Sequence, residues 1–243
     1  MSIEIEIRRK VFPGQDRARP HTAIENLYLT LRENEFVCLV GPSGCGKTTL
    51  LNLIAGLDKD FEGRIDFHLS QPPRLGYVFQ EPRLLPWRTV RQNLELVLPS
   101  DHDPEIVTEL LETTGLARFQ HTYPSRLSLG MGRRVALARA FAVEPDILLM
   151  DEPFVSLDAA IAEKMRQLLH KLWQRRPHTI LFVTHDLREA IALADRLVFL
   201  TPPPTRSDWE FVLPRARQVR DEHTIETLHR ELRNRMQFPH APE

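Results

Sequence analysis

Cysteine is scarce in this chain, with only Cys38 and Cys45 in 243 residues. Both fall in a stretch that reads as a strand and the loop after it. A disulfide there would distort the loop, so free thiols and a reducing cytoplasm are expected. Long apolar runs are also missing. The longest are far short of the roughly 20 residues that cross a bilayer, so no transmembrane helix is expected. The N-terminus, MSIEIEIRRK, alternates charged and apolar residues, which is the pattern of a strand and not of a signal peptide. Neither sign of charge dominates: 32 Lys and Arg against 33 Asp and Glu leave a net charge of −1, so there is no global footprint for nucleic acid. Internal repeats and low-complexity tracts are absent. Hydrophobic residues make up 42%, enough for a substantial core, and the length fits one large domain or a domain with a subdomain.

The chain is organised around FVCLVGPSGCGKTTLLNLIAG, Phe36 to Gly56. Phe36 to Val40 is an apolar run long enough for a buried strand. Gly41, Pro42, Ser43, Gly44, Cys45, Gly46, Lys47 and Thr48 follow without a spacer. Thr49 to Ala55 reads as a helix with Leu50, Leu51, Leu53 and Ile54 on its apolar side. Strand, glycine-rich turn and helix is the context a phosphate-binding loop needs. Glycines at 41, 44 and 46 let the backbone curl with its N–H groups inward, and no Cβ there blocks a phosphate. The helix N-terminus adds partial positive charge. Lys47 can reach the terminal phosphates, and the Thr48 hydroxyl can take one position on Mg2+. The stretch predicts a nucleoside triphosphate site.

Around it, Ile3, Ile5 and Ile7 alternate with Glu4 and Glu6 as a half-buried strand. Phe12 follows, then a polar loop from Pro13 to Thr22. Ile24 to Leu31 reads as a second strand. Phe61 to Ile65 suggests a turn into another, and Leu75 to Phe79 a strand running into Gln80. From Leu84 to about Arg139, prolines punctuate segments of helical spacing, Val90 to Val97 and Glu105 to Thr114 among them. This predicts a helical subdomain, about 84–139, inserted into a nucleotide-binding core of about 1–83 and 140–200. Arg134 to Val143 and Ala159 to Arg175 read as helices, and Ile147 to Met150 as a central parallel strand. Thr179 to Thr184 reads as a buried strand, Leu187 to Ala194 as a helix, and Leu197 to Leu200 as the last core strand. The tail from 201 is proline- and arginine-rich, then helical from about Thr224 to Met236.

Met150-Asp151-Glu152-Pro153 lies at the C-terminal end of an apolar strand, the edge where open α/β sheets gather ligands. Asp151 is placed to hold Mg2+ through its water shell. Glu152 is placed to accept a proton from an attacking water. Alone, two adjacent acids read as a solvated strand end; with a phosphate loop in the same chain they read as chemistry.

These motifs together resemble the ATP-binding subunit of an ABC transporter, over nearly everything up to about Leu200. Gly41 to Thr48 resembles the Walker A loop, with Thr49 beside it, and Ile147 to Glu152 the Walker B strand with its catalytic glutamate. Gln80 resembles the Q-loop glutamine, which touches Mg2+ and the water. Ser156-Leu157-Asp158 resembles the D-loop, and His185 the switch histidine at the γ-phosphate. Phe12 stands where an A-loop aromatic stacks on adenine. The signature segment is Leu127-Ser128-Leu129-Gly130-Met131-Gly132-Arg133-Arg134. Ser128 and Gly130 match the residues that meet the γ-phosphate held by the opposite subunit. Leu129 replaces a glycine and Arg133 a glutamine. Since leucine cannot adopt every backbone shape open to glycine, a lower intrinsic turnover is expected, with a tolerated variant as the alternative.

The resemblance implies an α/β phosphate-loop NTPase of ABC type: a mainly parallel central sheet, antiparallel N-terminal strands and the inserted helical subdomain. It implies ATP and Mg2+ as cofactors and a second copy as partner. Transmembrane permease subunits would dock on Glu81 to Trp87, and a solute-binding protein would act indirectly. The place implied is the cytoplasmic face of the plasma membrane. Leu84-Leu85-Pro86-Trp87, with Phe154, resembles the nitrate, sulfonate and taurine importer branch. A soluble mechanoenzyme without a permease, or a regulatory cassette with weak hydrolysis, are the alternatives.

Overall fold

Alternation decides the N-terminal sheet. In β1 (Ser2–Phe12), Ile3, Ile5 and Ile7 are buried and the intervening residues face outward. It pairs antiparallel with β2 (His21–Arg32) on one side and β4 (Glu62–Asp66) on the other, giving the order β2-β1-β4. The computed structural model describes residues 2–14, 20–69, 71–214 and 220–237. The loop expected over Pro13 to Thr22 lies partly outside them, and its last two residues already belong to β2.

The second sheet has six strands in the order β5-β6-β7-β3-β8-β9: β3 (Phe36–Val40), β5 (Leu75–Val78), β6 (Ile147–Asp151), β7 (Thr179–Thr184), β8 (Arg196–Leu200) and β9 (Ser207–Val212). All but β9 are parallel. Every residue of β3, β6 and β7 is buried, on both faces, which is why these strands read as apolar runs; β5, at the edge, is only half buried. Phe36, Cys38 and Val40 face one core with Leu148, Met150, Ile180 and Phe182. Val37 and Leu39 face the other with Ile147, Leu149, Leu181 and Val183. The second core is closed by α1 (Lys47–Ile54) and the antiparallel sheet. The first is closed by α2 (Val90–Glu95), α3 (Ile106–Thr113), α4 (Leu129–Ala142), α5 (Ala159–Arg175), α6 (Leu187–Leu193) and α7 (Glu222–Gln237).

Two elements depart from expectation. Helix α4 begins at Leu129, five residues before Arg134, because Ser128 caps it: the Met131 N–H donates to the Ser128 hydroxyl oxygen at 3.3 Å. And Leu200 does not end the core. β9 adds an antiparallel edge to β8, and Leu228 and Leu232 of α7 are buried in the same core, where α7 packs on α6. Arg196 locks this edge. Its guanidinium donates to Glu35 at 2.8 and 2.9 Å, to Glu210 of β9 at 2.7 Å and to the Thr30 carbonyl at 2.5 Å. Burial alone would raise the Glu35 carboxyl, but the Arg196 hydrogen bonds and charge outweigh it and its pKa falls. Removing one partner of so buried a pair costs about 3–5 kcal/mol.

Candidate nucleotide site

Parallel register brings the motifs together. Val78 of β5 pairs with Met150 of β6, so Gln80 stands level with Glu152. Asp151 pairs with Val183 of β7, so Glu152 stands level with Thr184, one residue before His185. Val40 of β3 pairs with Thr184, which puts Gly41 level with His185. Four segments, marked by Gly41, Gln80, Glu152 and His185 and 33 to 144 residues apart in sequence, therefore leave the sheet along one C-terminal edge.

The loop itself is closed on a cation. The Lys47 ammonium is buried and donates to the carbonyls of Gly41 at 2.8 Å and Pro42 at 2.9 Å. Gly44 and Gly46 have φ of 76° and 94°, the left-handed region that favours glycine. Gly41 serves otherwise than expected: a Cβ there would lie 2.9 Å from the Cys45 sulfur and 3.1 Å from Leu200 Cβ, so its smallness is for packing. No side chain caps the N-terminus of α1. Cys38 and Cys45 are both free, and burial pushes both thiols up.

Asp151 is buried beside the loop and accepts a hydrogen bond from Thr48. Burial pushes its carboxyl above the usual carboxylate value, and the neighbouring charge of Glu152 adds to the rise. A threonine hydroxyl and a carboxylate in contact form a hard oxygen pair of the kind Mg2+ takes, so the residues fit that ion. Glu152 has a φ of 42°. For a non-glycine residue that conformation costs about 1–3 kcal/mol and persists only where the surroundings impose it. Here the Glu152 N–H donates to the Val183 carbonyl at 3.0 Å, and the Val155 N–H to the Glu152 carbonyl at 3.2 Å. The carboxylate lies 3.0 Å from His185 Nδ1.

The signature residues stand apart. Ser128 and Gly130 neighbour Ile161, Lys164 and Met165 of α5 in a cavity of about 260 Å³, and no loop residue lines it. Because Ser128 accepts from Met131, its hydroxyl hydrogen stays available to a phosphate. Leu129 is in the first turn of α4 and its φ is not positive, so the backbone reason for a lower turnover does not hold. Its side chain is instead 52% exposed. Phe12 ends β1, 40% exposed, with the Lys10 ammonium 4.9 Å from its ring centre. Gln80 is exposed just after β5.

Two residues near the site carry no sequence signal. Thr205, fully buried, donates its hydroxyl to the Cys45 carbonyl and so braces the phosphate loop from the segment after β8. Glu189 of α6 is buried; burial pushes its pKa up to about 7, against a hydrogen bond from Thr184 and the charge of Arg166. A carboxyl that binds its proton more tightly folded than unfolded subtracts stability as pH rises from about 4.5 to 7. Glu189→Gln is therefore expected to match the wild type in stability at pH 4 and to exceed it at pH 8, by up to about 3 kcal/mol. Thermal melts at both values check this; equal Tm differences at both would refute it.

A lysine-bearing loop between a parallel strand and a helix, with an acidic strand end bonded to its threonine, defines a phosphate-loop nucleoside triphosphatase. Comparison with known proteins narrows the class. The ABC transporter family profile matches residues 24–155. The aliphatic sulfonates import ATP-binding protein SsuB 1 of Streptomyces avermitilis is 43% identical over 220 residues, 90% of this chain and 83% of that one. An uncharacterized ABC transporter ATP-binding protein of Methanocaldococcus jannaschii, MJ0412, is 45% identical over 215 residues, 85% of this chain and 80% of its own. The dimeric ATP-binding cassette MJ0796, solved in a post-hydrolysis state with ADP and Pi, superposes with a TM-score of 0.76 at 31% identity, covering 89% of this chain and all of that one. The chain belongs to the ABC transporter family and is an ATPase of its cassette type.

Proposed function

We propose that this chain is the ATP-hydrolysing subunit of a membrane importer for a small anionic solute, a sulfonate or a close relative such as taurine or nitrate. The observation that carries the reading is the sheet edge on which Lys47, Asp151 and the Glu152–His185 pair converge. Lys47 and the loop, from Gly41 to Thr49, hold the phosphates, and Phe12 the adenine. Thr48 and Asp151, with Gln80, would hold Mg2+, which would supply neutralisation of the phosphate charge. Glu152 takes the proton of the attacking water, and His185 orients Glu152 and meets the γ-phosphate. Ser128 and Gly130 act on the nucleotide of a second, identical copy. They line a cavity that no residue of this chain's own phosphate loop lines, and this and the dimeric state of the similar cassette support that composite site.

The segment after Gln80 suits a permease. Asn93, wholly buried, accepts from the Leu85 N–H at 2.8 Å and donates to the carbonyls of Leu85, Arg88 and Thr89. It pins the turn while Leu84 packs on the core and Trp87 stays 68% exposed. A rigid turn presenting a tryptophan is a good anchor for a partner helix. We read the helices between β5 and β6 as the inserted subdomain that bears it. No helix among the described residues is long and apolar enough to cross a membrane, and we place the chain peripherally at the cytoplasmic face. A solute-binding protein would act through the permease. The sulfonate reading rests on relatives named for sulfonate import.

The test is isolation of the tagged full chain from its own cells. A polytopic membrane protein is expected to accompany it, and ATP hydrolysis by that complex is expected to rise with a sulfonate and its binding protein. Nucleic acid or ribosomes in place of a membrane protein would overturn the importer reading in favour of a mechanoenzyme.

A further inference from the structure

Arg133 sits where the resembled signature has a neutral glutamine, and it is only 7% exposed. Its Nη1 donates to the Pro153 carbonyl, and its Nε has no hydrogen-bond partner. Among the described residues no carboxylate pairs with it, and its surroundings include Phe79, Pro82, Met150 and Phe154. A guanidinium buried with one neutral acceptor is a poor way to stabilise a fold, since a charge out of water needs a partner. The one bond it makes, however, lands on the residue after Glu152. That backbone is held at a φ of 42°, where a non-glycine residue does not rest unaided.

The donor's own position matters equally. Arg133 is in the second turn of α4, the helix whose capped end presents Ser128 and Gly130. One turn and a half further on, Arg139 of the same helix donates to the carbonyls of Pro82 and Arg83 at 2.9 Å each, just after Gln80. So α4 grips two of the segments that leave the catalytic sheet edge, by arginine-to-carbonyl bonds in both cases.

We propose that Arg133 is a positioning residue for hydrolysis: by holding the Pro153 carbonyl it fixes the backbone beneath Glu152 and ties this chain's base to the helix that meets the twin's nucleotide. The inference rests on Glu152 being the base and on Ser128 and Gly130 acting across the dimer. Contact of the twin's γ-phosphate with α4 then steadies Glu152 in the first chain, and the two ATP sites become coupled. A small misplacement of a catalytic group lowers the rate far more than it lowers binding.

The experiment uses the full chain with Mg-ATP and two variants. Arg133→Met keeps length without a donor, and Arg133→Lys keeps a donor. Arg133→Met is expected to lower kcat about tenfold with KM for ATP within about twofold, and to reduce the Hill coefficient toward 1. Arg133→Lys is expected to recover kcat to within about threefold of wild type and to restore the Hill coefficient. Equal impairment of both variants, or a wild-type kcat in Arg133→Met, would overturn the proposal. Glu152→Gln measured alongside separates the failures. If it is inactive while the Arg133 variants behave as wild type, only the positioning role falls; if it hydrolyses normally, the reading of the base falls first.

Discussion

Glu152→Gln is expected to bind ATP as the wild type does and to hydrolyse it about 10²–10⁴-fold more slowly, the usual contribution of a positioned general base. The substitution is conservative in this site. The Glu152 N–H and carbonyl bond to Val183 and Val155, and neither bond involves the carboxylate. The amide oxygen can keep the 3.0 Å contact with His185 Nδ1. What is lost is the acceptor for water's proton. Binding should survive, because Lys47 and the loop are untouched, and the ATP-loaded pair should therefore persist. Phosphate release and gel filtration with Mg-ATP measure the two halves: hydrolysis near zero, and a stable species of twice the mass. Hydrolysis at the wild-type rate would remove Glu152 from the base role.

Lys47→Ala is expected to act one step earlier, on binding. In this fold the buried Lys47 ammonium closes the loop by donating to the carbonyls of Gly41 and Pro42. Alanine removes that charge and leaves two carbonyls without their donor. Hydrogen bonds to charged groups contribute about 1.5–3 kcal/mol each, so affinity for ATP should fall about 100-fold. Titration with a fluorescent ATP analogue reads this directly. An affinity within about threefold of wild type would mean that the lysine does not hold the phosphates. The contrast is diagnostic: Glu152→Gln loses turnover and keeps affinity, while Lys47→Ala loses affinity first.

Particular elements show how far local patterns reach. The apolar runs at Phe36, Ile147 and Thr179 became the strands expected of them, because a strand buried on both faces needs nothing but apolar residues in succession. The loop was legible since Gly44 and Gly46 need their positive φ, and Lys47 and Thr48 follow at fixed spacing. Helix α4 was read five residues short because Gly130 and Gly132 argue against helix in isolation. The Ser128 cap and packing on α5 and Pro82 override that propensity. β9 was missed since its alternation of exposed and half-buried residues, Ser207 to Val212, follows a triple proline and is short. It is stabilised by β8 and by Trp209 stacking on Phe199, ring centres 3.8 Å apart.

Periodicity, glycine placement and motif spacing are carried by neighbours in the chain, so the strand–loop–helix, the acidic strand end and the family were readable from residues alone. Only folding set the parallel register that levels Gln80 with Glu152 and Gly41 with His185. Only folding brought Thr205 to Cys45 across 160 residues, and Arg133 to Pro153 across 20. Such partners meet through space after the core has closed, and a hydrogen bond formed that way leaves no periodic trace in the sequence that makes it.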